Sequence, residues 1–406
     1  LTHGYQPYIS DGTNIGTRSL DDNLDVGSNV ENPVVLGNKI IYIWDDGTSG
    51  RELWSYDVTT KSRTIFKDIQ VGAAGSSVDS MTKFGNYLYF RANNGIDGLE
   101  LWRTDGTDAG TIMLANTHPT GDGNADYFTQ VGSKMFFRSE DGVNGRTLWV
   151  TNGTSAGTLQ MSTSTSAETF VAGTTKLFYR SYDSTNGWEL WVSDGTPAGT
   201  RLTKDLNNSS GDTWMDSFTT SGDQLYFRAN NGVTGYEFAT SDGTEVGTFM
   251  LGDFNTTGDS WPDYLVPIGN GKLLFRVDDG TVPTHRNLWV SDGTIAGTQA
   301  ITSSYVGANV AGAWSASPEN ILYLPSTGKA YFRGWDITNG FELWSTDGTV
   351  AGTQLFKNLN PNGDSNANTM TVVGDRMMFR AADGVRGEEP WITDGTAAGT
   401  IALGDL

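Results

Sequence analysis

Residues 216–251 read DSFTTSGDQLYFRANNGVTGYEFATSDGTEVGTFML. SFTTS and QLYFRA are short, aromatic and β-branched, and a Gly-Asp turn separates them. YEFATS follows after NNGVTG, and TFML follows after DGTEVG. Such runs, bounded by Gly, Asn and Asp, read as strands in hairpin series, because these residues accept left-handed turns and break helices. The stretch therefore predicts four strands, here called A, B, C and D. No amphipathic helical window of useful length competes with them.

The same pattern returns along the chain. GLELWRTDGTDAGT ends at Thr111, GRTLWVTNGTSAGT at Thr158, GWELWVSDGTPAGT at Thr200, HRNLWVSDGTIAGT at Thr298, GFELWSTDGTVAGT at Thr353 and GEEPWITDGTAAGT at Thr400. A frayed copy, GRELWSYDVTTKSRT, starts at Gly50, and a truncated one, YISDGTNIGT, starts at Tyr8. Steps between copies run from 42 to 55 residues and centre near 47, a period of four-stranded propeller blades or two-helix repeats. The strand chemistry selects the blades. A second landmark, a turn followed by an apolar-aromatic run such as GNYLYFR or GDQLYFR, occurs eight times. The expected fold is an all-β propeller of eight four-stranded blades, with nine as the alternative, plus an extra N-terminal C–D hairpin. The expected domains are a hairpin and linker over 1–32 and a single propeller over 33–406.

The chain has 406 residues, 26 Lys plus Arg against 47 Asp plus Glu, a net charge of −21 and no cysteine. That charge argues against nucleic acid and anionic lipid, and it suits calcium, a cationic partner or solubility. Absence of cysteine excludes disulfide and thiolate chemistry. No apolar run is long enough to span a membrane as a helix. The chain opens on Leu1 rather than Met, as a mature or clipped start would.

A phrase used nine times is scaffold or a many-valent surface, not a catalytic centre. Its Asp is placed to accept backbone N–H groups and lock the C–D hairpin, and its recurring Trp is read as packing between blades. Arg91, Arg138, Arg180, Arg228, Arg276, Arg333 and Arg380 recur on strand B. Glu52, Glu100, Glu189, Glu237, Glu342 and Glu389 recur on strand C. Arg91 and Glu100 are expected to face one another across the B–C hairpin. The phrase resembles the ELWxxDGTxxGT repeats of large bacterial secreted and surface proteins, over nearly the whole chain from Tyr8 to Leu406. That resemblance implies a propeller-like fold, export and, in some members, attachment to a cell surface or biofilm. The expected location is accordingly extracellular or at the cell surface.

The links from D to the next A carry the candidate sites. GDGNAD (121–126), GDTWMD (211–216), GDSWPD (258–263) and GDSNAN (363–368) share an Asp and a second Asp or Asn four residues on. Hard oxygen donors in turns suit calcium, which makes Asp122, Asp126, Asp212, Asp216, Asp259, Asp263, Asp364 and Asn368 the candidate ligands. Trp214 and Trp261 sit inside two of these links, and Trp188, Tyr236 and Phe341 open strand C after a turn; exposed rings among Asp and Asn suit stacking of a glycan. The three histidines, His3, His118 and His285, occupy unrelated positions, and no H-E-x-x-H, G-x-S-x-G or phosphate-binding loop is present, which leaves paired carboxylates among the 47 acids as the open catalytic chemistry. The expected function is a non-enzymatic extracellular scaffold or assembly subunit of a cell-surface or filamentous structure. The alternatives are a multivalent lectin-like propeller binding surface glycans and a propeller glycosidase or lyase. The expected partner is a second copy of the chain, reached through the N-terminal hairpin.

Overall fold

The computed structural model describes residues 8–10, 12–19, 30–208, 211–280, 286–302 and 319–404. Asp11, His3, His285, the linker 20–29 and the insertion 303–318 lie outside them. Eight four-stranded sheets span 31–67, 79–115, 126–160, 165–204, 214–250, 263–300, 319–357 and 368–402, each with its strands in sequence order. They are the blades of an eight-bladed β-propeller, numbered here in chain order. In blade 5 the strands are Trp214–Ser221, Gln224–Asn230, Tyr236–Ser241 and Phe249–Met250. Among the described residues the one helical element is a 3-10 turn, Ser155–Gly157. No helix there is long and apolar enough to cross a membrane.

The ninth set of strands is confined to a hairpin. Tyr8–Ile9 pairs with Arg18–Ser19 in a two-stranded sheet of its own, which extends no blade. Its Ile9 packs within the same chain, against a buried cluster of Tyr42, Trp44, Trp54 and Tyr56 on blade 1.

The DGTxxGT phrase closes each C–D turn by hydrogen bonds its own residues supply. In blade 4 the Asp194 carboxylate accepts from Thr196 N–H at 2.9 Å and from Thr196 Oγ1 at 2.7 Å. Thr196 Oγ1 accepts from Gly199 N–H at 3.0 Å, and Thr200 Oγ1 donates to the Thr196 carbonyl at 2.7 Å. A Cβ on Gly199 would lie 2.2 Å from the Asp194 carboxylate, so that position admits glycine alone. Asn152 serves equally in blade 3, accepting from Thr154 N–H at 3.0 Å and Oγ1 at 2.8 Å.

By residue contacts the chain divides into two compact units, 1–182 with 193–201 and 183–192 with 202–406, a division the repeat period does not mark. In the first unit Leu36, Ile41, Ile43 and Leu53 of blade 1 share a core with Leu88, Phe90 and Trp102 of blade 2. Tyr89 and Leu101 of blade 2 do the same with Met135 and Phe137 of blade 3. In the second unit the cores join blade 5 to 6, 6 to 7 and 7 to 8, with Trp344 and Trp391 among them. Burying each such side chain contributes about 1.5–3 kcal/mol, and the recurring Trp takes its place in this packing.

Candidate functional site

The strand-B arginines do not face the strand-C glutamates. Arg91 lies opposite Leu101, and Glu100 lies opposite Ala92. One residue of register places the two charges on opposite faces of the sheet. Each partner found elsewhere explains a different part of the blade.

The arginine turns to strand A. Arg91 pairs with Asp79 through Nε at 2.6 Å and Nη2 at 2.5 Å. Arg138 pairs with Asp126 at 2.7 Å through both nitrogens, and Arg276 pairs likewise with Asp263. Arg228 meets Asp216 at 2.5 Å, and Arg180 meets Glu168 at 3.1 Å. In blade 8 the acid is replaced by Asn368, whose Oδ1 accepts from Arg380 Nε at 3.2 Å. Blade 1 has Ile43 in place of the arginine, and its Glu31 is met by Arg51. In all eight blades the residue after this acid or Asn is left-handed: Asn32, Ser80, Tyr127, Thr169, Ser217, Tyr264, Asn320 and Thr369 have φ of 50–56°. The strand-A register slips at each of these points, a β-bulge that in blades 2 to 6 has the ion pair behind it. Three of them, Asn32, Ser80 and Tyr127, line an open groove of about 640 Å³ in the first unit.

The glutamate is buried and holds the link that leaves its own blade. Glu100 accepts from Thr117 N–H and Oγ1 at 2.8 Å each, from Gly123 N–H at 3.1 Å and from His118 N–H at 3.3 Å. Glu52 takes Ile69, Gln70 and Ser76 N–H with the Ser76 hydroxyl, and Glu342 takes Leu359, Asn360 and Ser365 N–H. Glu237 takes Phe254 N–H at 3.0 Å, Ser260 N–H at 3.2 Å and Ser260 Oγ at 2.6 Å. A hydroxyl stands at the Ser76, Thr213 and Ser260 position. In blade 2 that position is Gly123, and Thr117 Oγ1 supplies the hydroxyl from the space a Cβ there would fill. Burial raises these carboxyls, and it pushes Glu189 and Glu237 up to about 7. Blades 3 and 6 carry Thr147 and Asn287 instead. After blade 3 the link runs only from 161 to 164, and after blade 6 it carries the insertion. Between successive blades, then, the glutamate accompanies the shaped link in blades 1, 2, 4, 5 and 7, a signal the sequence already contained.

The eight candidate calcium ligands are placed by these same two devices. The first Asp of each link caps the opening of strand C: Asp122, Asp212, Asp259 and Asp364 accept from Leu99, Trp188, Tyr236 and Phe341 N–H at 2.8–3.0 Å. The second, Asp126, Asp216, Asp263 or Asn368, pairs with the strand-B arginine. Asp126 and Asp263 also receive Arg146 at 3.1 Å and Arg286 at 2.5 Å. The two members of a pair therefore serve different partners. Among the described residues no group of three or more acids or histidines could hold a metal ion.

Two of the five rings of the expected glycan site, Trp261 and Tyr236, meet at blade 5. Trp261 stacks on Tyr236 with centroids 4.6 Å apart and planes at 21°. The Arg228 guanidinium lies 5.0 Å from the Trp261 ring and 5.7 Å from Tyr236. Trp261 has φ 45° and remains 37% exposed. Trp214, at the matching position one link earlier, is 62% exposed, and Trp188, which corresponds to Tyr236, is half-buried. Phe341 in blade 7 is half-buried under Arg333, 4.6 Å from its ring, and no second ring joins it because Asn366 stands where blade 5 has Trp261.

No family model and no curated protein matches the sequence. Solved structures resemble the fold at low identity. A computationally designed protein, Ika8, matches at 13% identity and TM-score 0.37, over 90% of this chain and 96% of that one. A puromycin-hydrolyzing peptidase of Mycobacterium tuberculosis matches at 14% and 0.33, over 99% of this chain and 56% of that one. The β-propeller domain of the Trilobed protease from Pyrococcus furiosus matches at 12% and 0.31, over 81% and 97%. The chain spans a little over half the length of the whole peptidases it matches. These neighbours correct the expectation of a non-enzymatic extracellular scaffold or assembly subunit. Several of these neighbours are propeller domains of peptidases, and the scaffold reading is set aside with its lectin-like and glycosidase or lyase alternatives. What the likeness shares is the fold.

Proposed function

We propose that this propeller is a recognition module for basic, proline-containing peptide segments, gripped at the aromatic shelf of blade 5. The observation that carries the proposal is the Trp261–Tyr236 stack, with Trp261 left-handed and partly exposed. A bulky residue held in that conformation marks strain retained for use. The carboxylates beside the shelf already have partners: Asp259 caps Tyr236, Asp216 meets Arg228, and Asp263 meets two arginines. They offer few acceptors to a sugar's hydroxyls. A flat apolar face in a chain of net charge −21 suits a proline ring beside a lysine or arginine. Trp214 would take the next turn of an extended ligand.

The test is titration calorimetry with a (Pro-Lys)5 peptide, a (Pro-Glu)5 control and chitohexaose. Binding of the first alone, weakened several-fold in Trp261→Ala, is the expected result; a stacked ring contributes about 0.5–1.5 kcal/mol, and 1.4 kcal/mol is a factor of ten. Binding of chitohexaose instead, or of no probe, overturns the proposal. So does peptide binding that Trp261→Ala leaves intact.

A further inference from the structure

We propose that Glu237 is the positioning residue of the aromatic shelf, tying together the chain neighbours of its two rings. Glu237 directly follows Tyr236, and Ser260 directly precedes Trp261. The Glu237 carboxylate is fully buried and receives both Ser260 N–H and Ser260 Oγ, at 3.2 and 2.6 Å. On the other side of the same peptide, Ser260 and Trp261 N–H donate to the Tyr236 carbonyl at 3.0 and 3.3 Å. Ser260 Oγ also reaches that carbonyl at 3.0 Å. The link therefore has little freedom in rotation where Trp261 leaves it, and the ring is delivered onto Tyr236 rather than into solvent.

Blade 7 separates the latch from the shelf. Glu342 receives Ser365 N–H at 3.2 Å, and Ser365 and Asn366 N–H donate to the Phe341 carbonyl at 2.8 and 3.3 Å. The following residue is left-handed there too, Asn366 with φ 49°. The latch is thus a device of the blade. What blade 5 adds is a ring at its end, so Glu237 acts on that ring through Ser260.

The peptide arm of the test rests on the proposed function; the spectroscopic arm does not. The protein is labelled with 5-fluorotryptophan, and the Trp261 resonance is assigned by its loss in Trp261→Phe. Glu237→Gln removes one acceptor oxygen and places an amide N–H against donors. It should move the Trp261 resonance toward that of an exposed indole and weaken (Pro-Lys)5 binding several-fold. Glu52→Gln, the same lesion in a blade whose link carries Ser77 at this position, should leave both readings unchanged. Should Glu237→Gln fail to fold, Ser260→Ala removes only the hydroxyl and should shift the same resonance by a smaller amount. A Trp261 resonance that stays in place in both blade-5 variants, or that moves equally in Glu52→Gln, overturns the inference. If the resonance moves while the parent protein binds no peptide, the positioning role stands and the proposed function falls.

Discussion

Trp261 is a large ring in a left-handed position that three counterparts fill with small polar residues. Ser77, Asn124 and Asn366 occupy the same place in their links, with φ of 49–52°. Asparagine tolerates that region, whereas a bulky ring there costs on the order of 1–3 kcal/mol. Trp261→Asn gives up a stack contributing about 0.5–1.5 kcal/mol and relieves the strain. Its melting temperature should match or exceed the parent's, while (Pro-Lys)5 binding is lost. A fall of more than about 2 °C, roughly 1–2 kcal/mol for a chain this size, would mean that Trp261 serves packing alone.

Single carboxyls also set the pH response. Glu189 and Glu237 are buried, with Asp205 and Asp253 adding repulsion, and both stand near 7 against an ordinary 4.5. The folded chain then holds protons that the unfolded chain releases between about 4.5 and 7, so stability falls as pH rises through that window and levels off above it. Asp383 has the opposite sign. Backbone N–H groups of Arg386 and Val385 hold it near 2, so its contribution is present above its ordinary 3.8 and is lost as pH falls toward 2. Melting temperature should peak near pH 4–5. Glu189→Gln should flatten the decline between pH 5 and 7, and an unchanged slope would rule out this assignment.

At the scale of the element, the link is held by one buried carboxylate. Glu100→Ala leaves Thr117, His118 and Gly123 N–H without that acceptor, and each stranded donor costs about 1–3 kcal/mol. The expected loss is at least 3 kcal/mol, with amide exchange accelerated over residues 116–124 ahead of the strands. The converse change, Thr147→Glu, buries a carboxylate where the link is too short to supply donors. It should destabilise blade 3 by a similar amount; a neutral effect would show that the glutamate does not answer to the link.

The C–D turn was legible in the sequence because all its bonds run between residues at fixed short spacing, as Asp194, Thr196, Gly199 and Thr200 show. The A–B ion pair was not. Arg91 and Asp79 are 12 residues apart, and their register depends on a bulge at Ser80 that a serine does not announce. The paired acids of the links were read as one group because they are four residues apart. The chain between Asp122 and Asp126 instead turns one toward Leu99 and the other toward Arg138. The rings at Trp261 and Tyr236 were legible as rings, whereas their contact required the link's path.

Across the whole chain, eight blades share one plan, and blade 1 departs from it most. Trp44 stands where other blades have Ala92, Ser139, Ser181, Ala229, Val277, Gly334 and Ala381. It meets Trp54 edge-on at 4.6 Å, with Arg63 4.1 Å from its ring, and Ile9 of the hairpin packs on the same cluster. Ile9→Asp should therefore lower the melting temperature by several degrees and red-shift tryptophan emission. An unaltered spectrum would show that the hairpin leaves that cluster in solution.

Blades 1, 2, 4, 5 and 7 each bring their own carboxylate for the strand of chain that leaves them, so the N–H groups of that link do not depend on the next blade for an acceptor. A recombination that copies one such blade with its outgoing link carries along the acceptor for that link's N–H groups, while the link's carbonyl at the Ser76, Gly123, Ser260 or Ser365 position still takes its donor from whichever blade follows. Blade number in lineages of such chains is then free to drift by whole steps, while the glutamate and its link are inherited, or lost, as a single cassette.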